Sequence, residues 1–126
     1  MELAVRTDDR LTVVDVTDRV TQALPADADG TCTVFVEHTT AGVVVNEAED
    51  RLLADVEAFL SDLVPDSGWE HDRIDDNADS HLRAMLLGES VTVPVTDGEL
   101  DLGTWQSILF VECDGPRRRT VRVVRG

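Results

Sequence analysis

Apolar and polar positions alternate with a period of two along most of this chain, and two longer stretches carry a helical period instead. Residues 2–7 and 10–16 read as strands, since Leu11 and Val13 alternate with more polar neighbours in RLTVVDVT. The Asp8-Asp9 pair between them suits a tight hairpin turn. TDRVTQAL (17–24) predicts a short helix, with Thr17 or Asp18 as N-cap and Pro25 shortly after its end. GTCTVFVE (30–37) and VVV (43–45) predict a third and a fourth strand. The clearest helix is AEDRLLADVEAFLSDL (48–63), where Leu52, Leu53, Val56, Phe59, Leu60 and Leu63 fall on one face opposite Asp and Glu; Pro65 closes it. NADSHLRAMLLG (77–88) reads as a further helix, capped by Asn77 and stopped by Gly88. Strands follow at 90–95 and 104–113, joined by TDGELDLG, and RTVRVVR (119–125) ends the chain after the turn DGPRR. Strands and helices do not alternate in steady βαβ order. The expected fold is therefore α+β: one domain, with a large mixed, mostly antiparallel sheet and helices on one face.

Composition narrows the setting. At 126 residues and 42% hydrophobic content the chain is long enough for one sizeable core. No apolar run approaches the roughly 20 residues of a membrane span, and MELAVRTDDR lacks the basic and apolar regions of a leader, so a cytoplasmic protein with no membrane partner is expected. Formal net charge is −15, and all 11 basic residues are arginine. Such a surface disfavours nucleic acid. Its self-repulsion is screened at molar salt, where the Debye length is about 3 Å, so the acidity reads as adaptation to a salty (halophilic) cytoplasm; an acidic surface for a basic partner is the competing reading. Cys32 and Cys113 sit in strand-like runs and read as buried free thiols.

The candidate chemistry lies where elements end. His38, His71 and His81 are the only histidines, at a strand end, in the acidic loop PDSGWEHDRIDD and in the first turns of a helix. Three converging imidazoles would suit Zn²⁺ or a similar divalent metal; three separate roles as caps or hydrogen-bonding groups are the alternative. Thr39 and Thr40 offer hydroxyls beside His38, although turn chemistry explains them equally well. Asn77 opens a helix, whose N-terminus favours anions. Five of the 11 arginines fall within residues 117–125, and Arg117 and Arg119 would point the same way in a strand, suited to phosphate unless they pair with carboxylates. Glu47, just after VVV, is a candidate general base or Mg²⁺ ligand. Trp105 is expected in the core or a subunit interface. Gln106, at the mouth of the next strand, would bind ligand or make a structural hydrogen bond.

Together, EHTTAGVVVNEAED, H…NADSHL, LLGESVTVPVTDGEL and LGTWQSILFVECDGPRRR, in this order from about residue 30 to the C-terminus, resemble the YjbQ-like family, also called the secondary thiamine-phosphate synthase family. The resemblance implies a compact α+β subunit assembled as a homotrimer with clefts between subunits. It implies a polar pocket lined by His38, His71 and His81 that takes a metal (Zn or Mg) or an anion, with no organic cofactor. It also implies a low side activity: joining an aminopyrimidine diphosphate to a thiazole phosphate with release of pyrophosphate. On that reading His38, His71, His81 and Glu47 are the catalytic candidates, and Thr39, Thr40, Asn77, Gln106, Arg117 and Arg119 hold phosphate. The alternative is a trimeric binder of metal or of a phosphorylated metabolite. The acidic loop 66–76 and the turn CDGP depart modestly from the family pattern.

Overall fold

Burial alternates along the strands as the period-two pattern requires. Cys32, Val34 and Val36 are buried in β3 (Gly30–Val36), Val93 and Val95 in β5 (Ser90–Thr96), and Val121 and Val123 in β8 (Arg118–Arg125). The computed structural model describes residues 1–126. These strands join β1 (Glu2–Arg6) and β6 (Glu99–Leu100) in a five-stranded sheet of order β1-β8-β3-β5-β6. A second sheet, of order β2-β7-β4, is formed by β2 (Thr12–Asp15), β4 (Ala41–Asn46) and β7 (Ser107–Glu112). Every strand pair is antiparallel. The α+β class is as expected, but the single large sheet is divided in two.

The two sheets face each other across the main core. From β7, Ile108 and Phe110 enter it beside Val5, Val34, Val43 and Val121. Val111 points the other way and packs with Leu60, Val13, Val44, Val56 and Leu87. β7 is thus buried on both faces, which is why SILFVE is nearly all apolar. Helices α2 (Asp50–Leu63) and α3 (Ala78–Leu87) form the third layer, on the outer face of the smaller sheet. α1 (Thr17–Gln22) contributes Val20 to the main core, followed by Leu24. A 3-10 turn over Glu70–Arg73 lies in the acidic loop, where the sequence pattern gives no element.

The Asp8-Asp9 hairpin is not formed. β1 pairs with β8 and β2 with β7, so residues 7–11 cross from one sheet to the other. The crossing is held by distant partners: the Thr7 amide donates to Arg117 O (2.8 Å) and the Gly115 amide to Arg10 O (3.1 Å). A Cβ at Gly115 would fall 2.2 Å from Asp9 O, so only glycine permits this approach.

The helices also differ from their pattern. In α2 Leu60 is buried, while Phe59 and Leu63 are exposed. In α3 the inward stripe is small and polar (Asp79, Ser80, Arg83, Ala84), and Met85 and Leu86 face outward. The reason is a clamp. Arg83 Nε donates to Leu60 O (2.9 Å), and Nη2 to Val64 O (2.8 Å) and Asp66 Oδ1 (3.1 Å). The Val64 carbonyl lies past the last turn of α2, and the Leu60 carbonyl, which already accepts from the Val64 amide at 3.4 Å, takes Arg83 as a second donor. Nη1 donates to Asp79, which also accepts from Arg10 Nη2 (2.9 Å). Ser80 Oγ donates to Cys113 O (2.5 Å), pinning α3 to the end of β7. Gly88, with φ of 90°, stops α3 where the sequence predicts. Cys32 and Cys113 are free and buried, and burial raises the Cys113 thiol to about 12.

Candidate functional site

At one end of the sandwich β3 stops and the chain turns through His38, Thr39 and Thr40 into β4. The β7–β8 turn, the start of β5 and the N-terminal end of α3 reach the same end. Together they enclose an open cleft of about 660 Å³, whose walls include His38, Thr39, Thr40, Asn77, His81, Arg117 and Arg119. A smaller hollow of about 350 Å³ adjoins it, sharing His38, Thr39, His81 and Glu89 and adding Ala41, Ala84 and Met85.

The floor is a buried polar network. Glu112, fully buried at the end of β7, accepts from Thr7 Oγ1 (2.7 Å), from Arg119 Nε (2.8 Å) and from the Asp114 amide (3.0 Å), and pairs with Arg119 Nη2. Burial opposes its ionisation, but the Arg119, Thr7 and amide hydrogen bonds prevail and hold the carboxyl below its ordinary range. Arg119 Nη2 also donates to Thr40 Oγ1 (3.0 Å), so the network fixes the β3–β4 turn. Arg119 is only 3% exposed, yet its Nη1 has no protein partner and is not sealed from the cleft that the residue lines.

His38 is committed at one nitrogen. The Thr120 amide donates to Nε2 at 2.8 Å, so the ring carries its proton on Nδ1, which has no protein partner. Burial first, and then the charge of Arg119, lower its pKa, so the ring is neutral at neutral pH. A neutral imidazole with Nε2 accepting has no second lone pair for a metal. His71 stands behind the cleft, its ring edge-on to His81 at 4.8 Å between centroids. Its Nε2 lacks a hydrogen bond and lies 3.8 Å from Asp75 Oδ2. No group of three or more His, Cys, Asp or Glu side chains is arranged to hold a metal ion. The three histidines in this arrangement therefore do not fit a shared metal centre within one chain.

Asn77 occupies the N-cap position of α3 without making a side-chain cap. Its Nδ2 donates to Asp114 Oδ2 (2.8 Å), and Asp72 Oδ1 accepts from the Ala78 amide (3.2 Å) in its place. Asn77 Oδ1 is buried without a partner. Arg117 precedes β8, half-exposed, and pairs with Asp114 (3.1 Å). Asp75, Glu37, Glu89 and Asp114, which the sequence pattern did not single out, complete the polar lining.

Glu47 and Gln106 lie elsewhere. Glu47 follows the far end of β4, roughly 20 Å from Thr40 at strand rise, and Asn46 pairs there with Ser107. Glu47 borders a separate hollow with Asp15, Glu49 and Trp105. The Gln106 side chain accepts from the Gly103 amide (2.8 Å). Trp105 is 73% exposed on the single chain and is not part of its core.

Comparison with known proteins gives the same architecture throughout. Residues 1–125 match the family model described as "UPF0047 protein YjbQ-like". A UPF0047 protein of Archaeoglobus fulgidus is 51% identical over 124 residues, covering 98% of each chain. A UPF0047 protein of Methanothermobacter thermautotrophicus is 50% identical over 125 residues, covering 97% of this chain and 87% of the relative. Among solved structures, the hypothetical protein APE1520 from Aeropyrum pernix K1 superposes with a TM-score of 0.95 at 46% identity, covering 100% of this chain and 96% of that one. A protein of unknown function from Sulfolobus solfataricus P2 gives 0.93 at 40% identity, covering 98% and 92%. The chain belongs to the UPF0047 YjbQ-like family.

Proposed function

We propose that the cleft binds a phosphorylated small molecule, and that its secondary chemistry is of the thiamine-phosphate synthase type. The observation that carries the binding reading is the set of uncommitted donors at the end of the sandwich. Arg119 Nη1 and His38 Nδ1–H lack protein partners, and Arg117 and the Thr39 hydroxyl border the same space. Ionised phosphate oxygens accept hydrogen bonds without donating any, and so suit such donors.

In the synthase reaction the thiazole nitrogen forms a bond to the pyrimidine methylene, while the bond from that carbon to the diphosphate oxygen breaks. The electron pair leaves with pyrophosphate. Arg117 and Arg119 would stabilise the charge gathering on the departing oxygens, and His38 would donate to one of them. No proton has to be removed by the protein. No step passes through a resident metal, because the histidines do not fit one; Mg²⁺, where present, would arrive on the diphosphate.

A second reading, binding without turnover, is favoured by the commitment of His38 Nε2 to Thr120, which leaves this ring no basic nitrogen facing the cleft. Association as a homotrimer is part of the proposal and is supported by exposed apolar side chains: Phe59, Ile74, Met85, Leu86 and Trp105 are each more than 60% exposed.

The test is an assay of thiamine phosphate formation in high salt, with and without Mg²⁺, alongside calorimetric titration with inorganic phosphate. Turnover that falls at least tenfold in Arg117→Gln supports the synthase reading. Phosphate binding without turnover leaves the binding reading alone, and absence of both removes the proposal. Sedimentation in the same salt should give roughly three subunits.

A further inference from the structure

The phosphate reading leaves an electrostatic remainder. The cleft is lined by two arginines, Arg117 and Arg119, and by four carboxylates, Glu37, Asp75, Glu89 and Asp114, a formal charge of −2 from these six side chains. Pairing beyond the lining does not change this: Arg122 meets Glu37 (2.9 Å), and Glu112 meets Arg119. Arg117 is held by Asp114. Glu89 has neither an ion-pair partner nor a side-chain hydrogen bond. A phosphate alone would therefore enter a site that already carries excess negative charge.

The two kinds of group sit on different strands. The Glu89 carbonyl accepts from the Val36 amide (2.8 Å), which places Glu89 beside β3 on its β5 side. Arg119 is on β8, on the other side of β3. Their backbones are therefore separated by two strand spacings, roughly 10 Å. Glu89 also borders the adjoining hollow, whose other walls include Ala41, Ala84 and Met85. Three of the seven residues around this hollow are apolar, and His38 has its one lone pair taken by the Thr120 amide. An organic cation therefore finds both a carboxylate and apolar contact there, whereas a metal ion finds only Glu89, His81 and the Thr39 hydroxyl.

Resting on the phosphate reading, we infer that the ligand is bipolar: a small organic phosphate whose anionic group meets Arg119 Nη1 and His38 at the floor, and whose cationic organic head lies between Glu89 and Met85. The nearly buried Arg119 with its free nitrogen marks the anionic end; the unpaired Glu89 at the junction of the two hollows marks the cationic end.

Calorimetric titration of the intact protein at one fixed salt concentration tests this with phosphocholine, ethyl phosphate, and ethyl phosphate plus Mg²⁺. Phosphocholine should bind about tenfold more tightly than ethyl phosphate. In Glu89→Gln, whose exposed side chain can change without disturbing the core, the ratio should fall towards one because ethyl phosphate binds better. Equal affinities in the parent protein would overturn the bipolar ligand while leaving the phosphate reading intact. So would ethyl phosphate with Mg²⁺ matching phosphocholine, since a metal would then supply the missing charge. If no phosphate compound binds, the phosphate reading fails and this inference fails with it.

Discussion

Two buried arginines, Arg83 in the helical layer and Arg119 at the end of the sandwich, are almost equally hidden, at 2% and 3% exposed. Each pairs with a fully buried carboxylate, Asp79 or Glu112. They differ in what remains unused. Arg83 donates from all three nitrogens, to Leu60 O, Val64 O, Asp66 and Asp79, and is not part of the cleft wall. Arg119 donates from two and leaves Nη1 at the cleft floor. Burial of a charge therefore does not distinguish a clamp from a binding group. Unfilled hydrogen-bonding capacity does, because a donor that faces a cleft without a protein partner is free to meet a ligand's acceptor.

The largest effect expected is at the clamp. Arg83→Ala leaves Asp79 without its buried partner and removes the side-chain donor from the Leu60 and Val64 carbonyls, and should destabilise the protein by about 3–5 kcal/mol. Urea denaturation monitored by circular dichroism measures it. A loss below about 1 kcal/mol would mean that α3 is held by apolar packing alone and that the clamp is incidental.

Lysine substitutions sharpen the contrast. Arg119→Lys retains a positive charge beside Glu112, but its three donors radiate from one nitrogen held at that carboxylate and do not reach the cleft as the guanidinium fork does. Phosphate affinity should fall about tenfold, the value of one charge-assisted hydrogen bond. Arg83→Lys should lose stability and change phosphate affinity by less than about twofold. Equal effects of the two substitutions on phosphate binding would break the distinction.

Both regions should appear together in acid. For Asp79, burial opposes ionisation, but hydrogen bonds and charge from Arg10 and Arg83 depress the folded pKa, as Arg119 and Thr7 do for Glu112. A depressed carboxylate stabilises the fold above its unfolded pKa, about 4, and that stability is lost as pH falls through the folded value. Stability should therefore drop on acidification below about pH 4. Glu112→Gln, though less stable near neutrality, should show a shallower acid limb than the parent. His38 adds a weaker trend of the same sign: with its folded pKa below the ordinary 6.5, its contribution diminishes as pH falls beneath that value. An acid limb unchanged by Glu112→Gln would remove this carboxylate from the account.

Much of the fold was legible because strand and helix periods are local. The limits of β3, β5, β8 and α3 fall within a residue of those expected from alternation, from the Gly88 stop and from the turn DGPRR, whose last residue, Arg118, already belongs to β8. The crossing at Asp8-Asp9 was not, because the hydrogen-bond partners of Thr7 and Arg10 lie roughly 70 to 110 residues away. Nor was the inward face of α3: Asp79 and Arg83, four residues apart, look like an ordinary exposed helix pair until Leu60 O and Val64 O are placed beside them. The spacing did contain a signal, since Asp79, Arg83 and Leu87 share one stripe. At the site, His38, Thr39 and Thr40 mark the break at the end of β3 and do border the cleft.

Glu47 shows why that signal carries only half the answer. VVV stops at Asn46-Glu47 as abruptly as VFV stops at His38, but a strand has two ends, and a polar break marks either. β4 runs from the cleft to the opposite end of the sandwich, taking Glu47 with it. The smallest effect is expected here: Glu47→Gln and Gln106→Ala should leave phosphate affinity unchanged within about twofold and stability within about 0.5 kcal/mol, as for surface substitutions generally. A tenfold loss in either variant would require the far end to share the ligand, through a neighbouring subunit whose far end meets this cleft. That outcome would turn the comparison between two regions of one chain into a contact between two chains.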